Sequence, residues 1–185
     1  MSAQLIDGKA IAQAIRAHTK QAAAKLRRAP ALAVVMVGEN PASAVYVRNK
    51  VKACNEVGIT SIEHRLPSDC SDERLLQVIR ALNEDACIDG ILVQLPLPEH
   101  RHAGLILETI DPNKDVDGFH IYNTGKLVTT GGGFQPCTPA ATIRRPQAID
   151  YPIECQHAVI LRRHYCAGTP TDSRLSRSHA KDSLT

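Results

Sequence analysis

Apolar positions fall along the chain in two rhythms. Residues 31–37 (ALAVVMV) are apolar without a break and stop at Gly38. A run apolar on both faces suits a strand buried in a parallel sheet. Residues 88–95 (IDGILVQL) read the same way and are closed by Pro96 and Pro98. Residues 59–66 (ITSIEHRL) alternate and predict another strand, and His157 to Leu161 offers a last one. Between these, apolar residues recur at helical spacing. Asp7 is a candidate N-cap for a helix with Ile11, Ile15, Ala22 and Leu26 on one face, ended by Arg27, Arg28 and Pro30. Pro41 and Ser43 open a second helix that runs to about Val57 and stops at Gly58. Leu75, Leu76, Ile79 and Leu82 mark a third, and Ala103 to Ile110 a short fourth. Residues 111–135 read as loop, and Thr138-Pro139 as an N-cap with proline at the first helical position. Strands alternating with helices of this length predict an α/β fold with a parallel, doubly wound sheet.

Open α/β sheets bind ligands beyond the carboxyl ends of their strands. That rule selects the segment after 31–37, the end of 88–95, and the loop Lys114-Asp115-Val116-Asp117-Gly118. Tyr46 and Lys50 are four apart on the second helix and share a face. Partial desolvation could bring a lysine there into proton-transfer chemistry; a partly exposed surface pair fits the same spacing. Gln94 interrupts an apolar strand, and its amide must find partners. It could hold the Lys50 amine, a ligand's polar edge, or neighbouring backbone. Asp115 and Asp117 could bind a metal together, or act separately on the loop and on a ligand rich in N–H groups. No third ligand stands at metal spacing, so no metal is expected. Lys114 beside Asp115 reads as a solvated pair. Gly131-Gly132-Gly133 lacks the phosphate-loop pattern and reads as a turn. Cys137 reads as a buried structural thiol rather than a nucleophile, having no evident His partner. The eight histidines form no zinc motif.

Composition narrows the setting. Of 185 residues, 43% are hydrophobic, 22% charged and only 3% aromatic, so the core is aliphatic. The net charge of +3 is too small to argue for nucleic acid or a membrane surface. It is also localised. Residues 144–185 carry Arg144, Arg145, Arg162, Arg163, Arg174, Arg177 and Lys181 against Asp150, Glu154, Asp172 and Asp182, so residues 1–143 are neutral. The six cysteines are dispersed with no CxxC pair, and no apolar run nears the roughly 18 residues that span a bilayer. A cytoplasmic protein with reduced thiols is expected.

Four motifs occur in order: Asn40-Pro41-Ala42-Ser43 with Tyr46-Val47 and Lys50; Asp89 to Pro98; Lys114-Asp115-Val116-Asp117-Gly118-Phe119; and Pro136-Cys137-Thr138-Pro139. Together they resemble the bifunctional methylenetetrahydrofolate dehydrogenase/methenyltetrahydrofolate cyclohydrolase family, from about Gln4 to Ile143. The resemblance implies NADP-dependent oxidation of 5,10-methylene- to 5,10-methenyltetrahydrofolate and hydrolysis to 10-formyltetrahydrofolate. It implies Lys50 as general acid/base, Tyr46 as the residue that stacks on or positions the pterin, and Gln94 as the partner of Lys50. Asp117 would accept hydrogen bonds from the pterin's adjacent donors. Val93, Leu95, Pro96 and Gly118 would complete the substrate site. Tetrahydrofolate derivatives are the implied partners, in a cytoplasmic homodimer with neither nucleic acid nor membrane.

The likeness decays near Arg144, which suggests a folate-substrate domain over 1–143 and a divergent, incomplete Rossmann-type NADP domain over 144–185. Of the dinucleotide motif, Arg163 matches, Gly168-Thr169 fits its end, and His164 stands where a serine is expected. These four are the cofactor-binding candidates. Arg162 takes a glycine's place, where a side chain would crowd the cofactor. Arg145-Pro146 is expected to interrupt the helix after Pro139, and residues 171–184 give a poor apolar face for the helix expected there. With 49 residues after Pro136, where a nucleotide domain needs about 100, a fragment or altered reading of a longer enzyme is expected. A non-catalytic folate-binding module and a nonfunctional truncation are the other readings.

Overall fold

The computed structural model describes residues 5–98, 102–160, 170–172, 175 and 181–184. Two compact units emerge: one spans Ala14–Val116, and the other joins Met1–Gln13 to Asp117–Thr185. Helix α1 (Gly8–Ala23) runs from the second into the first.

The first unit is built on a parallel sheet of β1 (Ala31–Val37), β2 (Thr60–Leu66) and β3 (Gly90–Val93), in the order β2-β1-β3. The uninterrupted apolar run has become the central strand, buried along almost its whole length. Its register pairs Ala31 with Thr60 through Val37 with Leu66, and Leu32 with Gly90 through Val35 with Val93. The alternating segment is the edge strand, where one face stays solvated. Helix α2 (Pro41–Val57) and helix α3 (Asp72–Glu84) are the crossovers that parallel pairing requires. Helix α3 starts at Ser71, whose hydroxyl accepts from the Arg74 amide at 3.1 Å, with Asp72 and Glu73 at its positive end. Its predicted face is buried through Leu75, Ile79 and Leu82. Helix α4 (Ala103–Thr109) lies where the sequence placed it.

Helix α1 departs from expectation. Asp7 caps it, accepting from Lys9 and Ala10 at 2.9 and 3.0 Å. Yet α1 has no buried residue: Ile11 is half-buried, while Ile15, Ala22 and Leu26 are exposed. Periodicity specifies that a face is apolar, not what covers it.

Past α1, Arg28 ties the chain to the start of β3. Its guanidinium meets both Asp89 carboxylate oxygens at 2.7 and 2.8 Å, and Asp89 also accepts from the Ala31 amide at 2.8 Å. The Arg28 hydrogen bond, then that amide, hold the Asp89 carboxyl below its ordinary value. A carboxyl lowered in the folded state stabilises the fold above its unfolded pKa, near 4, and loses that contribution as pH falls through the lower folded value. Asp89→Asn is therefore expected to lower Tm at pH 7, with the gap to wild type closing as pH falls below about 4. Thermal melts at pH 7 and pH 3 check this, and a gap that does not close overturns it. Both side chains are about half exposed, at 52% and 45%, so solvent screening keeps the effect small.

The second unit contains helix α5 (Ile121–Thr129), helix α6 (Cys137–Gln147), and a two-stranded parallel sheet of β4 (His157–Ile160) and β5 (Lys181–Leu184). Helix α5 occupies a stretch read as loop. Its apolar residues Ile121, Tyr122 and Val128 lie exposed, and it buries only Asn123 and Leu127. Gly131, at φ 75°, turns the chain out of it, donating its amide to the Lys126 carbonyl at 2.9 Å. Helix α6 begins two residues earlier than predicted: Pro136 is its cap, and Pro139 lies inside its first turn, where no N–H is needed. Pro146 sits in the last turn, so the helix ends at Gln147 rather than at Arg145. Cys137 is exposed, not buried, because it is the first residue of α6. Residues 181–184 form β5 rather than helix, in register His157↔Lys181 to Ile160↔Leu184.

Candidate active site

Three segments read as ligand-facing leave the carboxyl ends of the strands or the loop beyond them. After β1, Asn40 accepts from the Ser43 amide at 3.1 Å, and Pro41 takes the first helical position. These two residues fix where α2 starts. Helical spacing then turns Val47 and Val51 into the cluster of Val34, Met36 and Leu92. Tyr46 and Lys50 are left on a neighbouring flank, Tyr46 65% exposed and Lys50 half-buried.

Gln94 follows β3 directly. Its amide donates to the Val35 carbonyl at 2.8 Å, carrying the pairing with β1 one residue past the strand. Its side-chain oxygen accepts from Lys50 Nζ at 3.3 Å, and its side-chain nitrogen donates to the Leu95 carbonyl at 2.7 Å. Both ends of the amide are used, and the lysine amine and the backbone share it. Val93 is buried, Leu95 half-buried and Pro96 exposed, with a cis peptide between the last two. One turn beyond Lys50, burial pushes the Cys54 thiol up, and the Lys50 charge draws it partly back.

Lys114 is not part of a solvated pair. Its amine donates to three carbonyls at the end of α3, and Asp115 is buried, at 2% exposure. The missed signal lies in α3 itself: it ends at Asp85 with no glycine and no basic residue in its last turn, so its final carbonyls need donors from elsewhere. Asp117 and Gly118 belong to the second unit. Asp117 is half-buried. Gly118 has φ +65°, and a Cβ there would lie 2.6 Å from the Phe134 carbonyl oxygen. Asn123, which sequence reasoning passed over, is buried and accepts from the Phe134 amide at 3.3 Å. Arg163, His164, Gly168 and Thr169 lie outside the described residues. Among the described residues no three His, Cys, Asp or Glu gather to hold a metal ion, and no helix is long and apolar enough to cross a membrane.

The Lys50–Gln94 contact lies at the carboxyl edge of the parallel sheet, the edge at which open α/β sheets bind ligands. Residues 6–117 match the sequence model of the tetrahydrofolate dehydrogenase/cyclohydrolase catalytic domain. The chain belongs to that family. It is 47% identical over 183 residues to the bifunctional protein FolD of Polaromonas naphthalenivorans, covering 97% of this chain and 65% of that protein. The FolD of Nitrosospira multiformis is 49% identical over 173 residues, covering 92% and 60%. The chain thus spans a little under two thirds of these relatives' length. The crystal structure of the bifunctional FolD dehydrogenase/cyclohydrolase from Campylobacter jejuni superposes with TM-score 0.95 at 40% identity, covering 98% of this chain and 66% of that one. The Trypanosoma brucei methylenetetrahydrofolate dehydrogenase-cyclohydrolase, solved with NADP and an inhibitor, superposes at 0.94 with 31% identity, covering all of this chain and 65% of that one.

Proposed function

We propose that this chain is the folate-binding catalytic part of an enzyme interconverting 5,10-methylene-, 5,10-methenyl- and 10-formyltetrahydrofolate. The Lys50–Gln94 contact carries the reading, because it supplies a positioned proton carrier at the carboxyl edge of the sheet. In hydrolysis, water oxygen adds to the methenyl carbon and Lys50 takes a water proton. As the added hydroxyl gives up its remaining proton to solvent and becomes the formyl C=O, the bond from that carbon to the pterin nitrogen N5 breaks, N5 receives the proton carried by Lys50, and the formyl group stays on N10. Gln94 holds the Lys50 amine at that carbon. Tyr46, exposed one turn away, offers a ring face to the pterin. Asp117 takes the pterin's N–H edge, with Val93, Leu95, Pro96 and Gly118 shaping the rest. In dehydrogenation, NADP would supply the hydride acceptor; the residues assigned to it, Arg163, His164, Gly168 and Thr169, are candidates on sequence alone. The domain assignment stays at 1–143 for substrate and 144–185 for nucleotide. A cytoplasmic homodimer is the setting proposed for the full-length enzyme.

Hydrolysis does not consume the nucleotide, so it tests this chain directly. The purified protein is expected to convert 5,10-methenyl- to 10-formyltetrahydrofolate without NADP, followed by loss of methenyl absorbance. Folate binding with conversion no faster than buffer would overturn the catalytic reading in favour of a binding module.

A further inference from the structure

The loop that leads to Asp117 is held from one helix end by side chains that the reaction does not use. Lys114 Nζ donates to the carbonyls of Leu82, Asn83 and Asp85 at 3.0, 2.7 and 2.8 Å. An ammonium has three donors, and here all three are spent on carbonyls that a helix leaves unpaired at its carboxyl end. Its charge also sits at the negative end of the α3 dipole. Asn83 grips the same loop a second time, donating to the Thr109 carbonyl at 2.7 Å and accepting from the Asp111 amide at 2.9 Å.

The far side of the loop is fixed as well. The Ile91 amide donates to the Lys114 carbonyl at 2.7 Å, within a parallel bridge from Ile91 to Asp115. Val116 fills the space over Gly90, where a Cβ would come within 2.5 Å of Val116 Cγ1. Residues 109–116 are thus clamped between the end of α3 and β3, and Asp117 is the next residue.

We propose that Lys114 is a positioning residue for folate binding, fixing through the carboxyl end of α3 the course of the chain that carries Asp117. The proposal rests on the assignment of Asp117 to the pterin. Lys50 and Gln94 are carried by α2 and the end of β3, so loosening Lys114 weakens substrate binding more than chemistry.

The test compares wild type, Lys114→Met and Lys114→Arg in nucleotide-free hydrolysis of 5,10-methenyltetrahydrofolate, together with amide hydrogen exchange. In Lys114→Met, KM is expected to rise about tenfold, the order of one lost charged hydrogen-bond anchor. Its kcat should stay within about twofold of wild type. Lys114→Arg, which keeps charge and donors, should recover most of KM. Exchange should quicken at 111–118 while α2 keeps its protection. Unchanged KM, or a fall in kcat alone that arginine does not rescue, overturns the proposal, because lost folded protein lowers turnover without changing KM. If Lys114→Met does not fold, Asn83→Ala loosens the loop from its other grip and must show the same split. A wild-type chain that neither binds nor hydrolyses the substrate overturns the functional reading instead. Exchange then judges the anchor by itself, and unchanged protection at 111–118 in Lys114→Met defeats it.

Discussion

Lys50→Met is expected to lower kcat for nucleotide-free hydrolysis of 5,10-methenyltetrahydrofolate by about 10²–10⁴-fold, the usual contribution of a positioned proton carrier. The variant keeps the length of the side chain and removes only the amine. Among the described residues that amine makes one hydrogen bond, a long one at 3.3 Å to Gln94, at a half-buried position. Its loss costs the fold little, about 0.5–1.5 kcal/mol. Gln94 keeps its bond to the Leu95 carbonyl and stays in place. Tm should therefore move by only a few degrees while turnover collapses, and KM should hold because the role proposed for Lys50 is at the reacting carbon rather than on the pterin edge. Progress curves for 10-formyltetrahydrofolate, read beside a thermal melt, separate these effects. Hydrolysis at the wild-type rate would remove Lys50 from the mechanism.

The residues of the candidate site were more legible than the contacts that hold the loop beside it. Asn40-Pro41 announces a helix start, and a helix start fixes the phase of everything after it; Tyr46 and Lys50 follow from that phase. Gln94 stands out because an amide in an apolar run needs partners, and these are Lys50 and the Leu95 carbonyl. What was not legible is what long-range contacts decide. Lys114 and Asp115 look like an exposed pair when read locally. The carbonyls that claim Lys114 lie about thirty residues earlier, at the end of α3. Helix α5 was missed for a related reason. Its two buried residues, Asn123 and Leu127, show no apolar period, and it is closed by a glycine run that reads locally as a turn. The exposed face of α1 is the converse case, an apolar stripe whose period is plain and whose cover is not in its own sequence. Local signals thus placed Tyr46, Lys50 and Gln94, while the loop that carries Asp117 is held by contacts no local pattern records.

The glycine beside Asp117 should be the least replaceable position in that region. Gly118→Ala is expected to destabilise the fold by about 2–5 kcal/mol. Two effects contribute. At φ +65° an alanine meets the left-handed region, which costs about 1–2 kcal/mol. Its Cβ would also lie 2.6 Å from the Phe134 carbonyl oxygen, 2.8 Å from the Phe134 carbonyl carbon and 3.0 Å from that of Gln135. These are backbone atoms, so no rotamer change relieves the overlap; the chain itself must shift, at about 1–3 kcal/mol. For a chain of this size the sum corresponds to a fall in Tm of roughly 5–15 °C. Because the overlap sits next to Asp117, KM for the folate should rise in whatever protein remains folded. Gly125→Ala is the matched control. It lies within α5, has no positive φ, and among the described residues nothing beyond its chain neighbours and its own helix backbone comes within 4 Å of the added methyl, so the same chemical change there should raise stability by up to about 1 kcal/mol. Denaturant midpoints for the two variants should move in opposite directions. If Gly118→Ala moves with Gly125→Ala, the close approach of Gly118 to the Phe134–Gln135 backbone does not hold this loop.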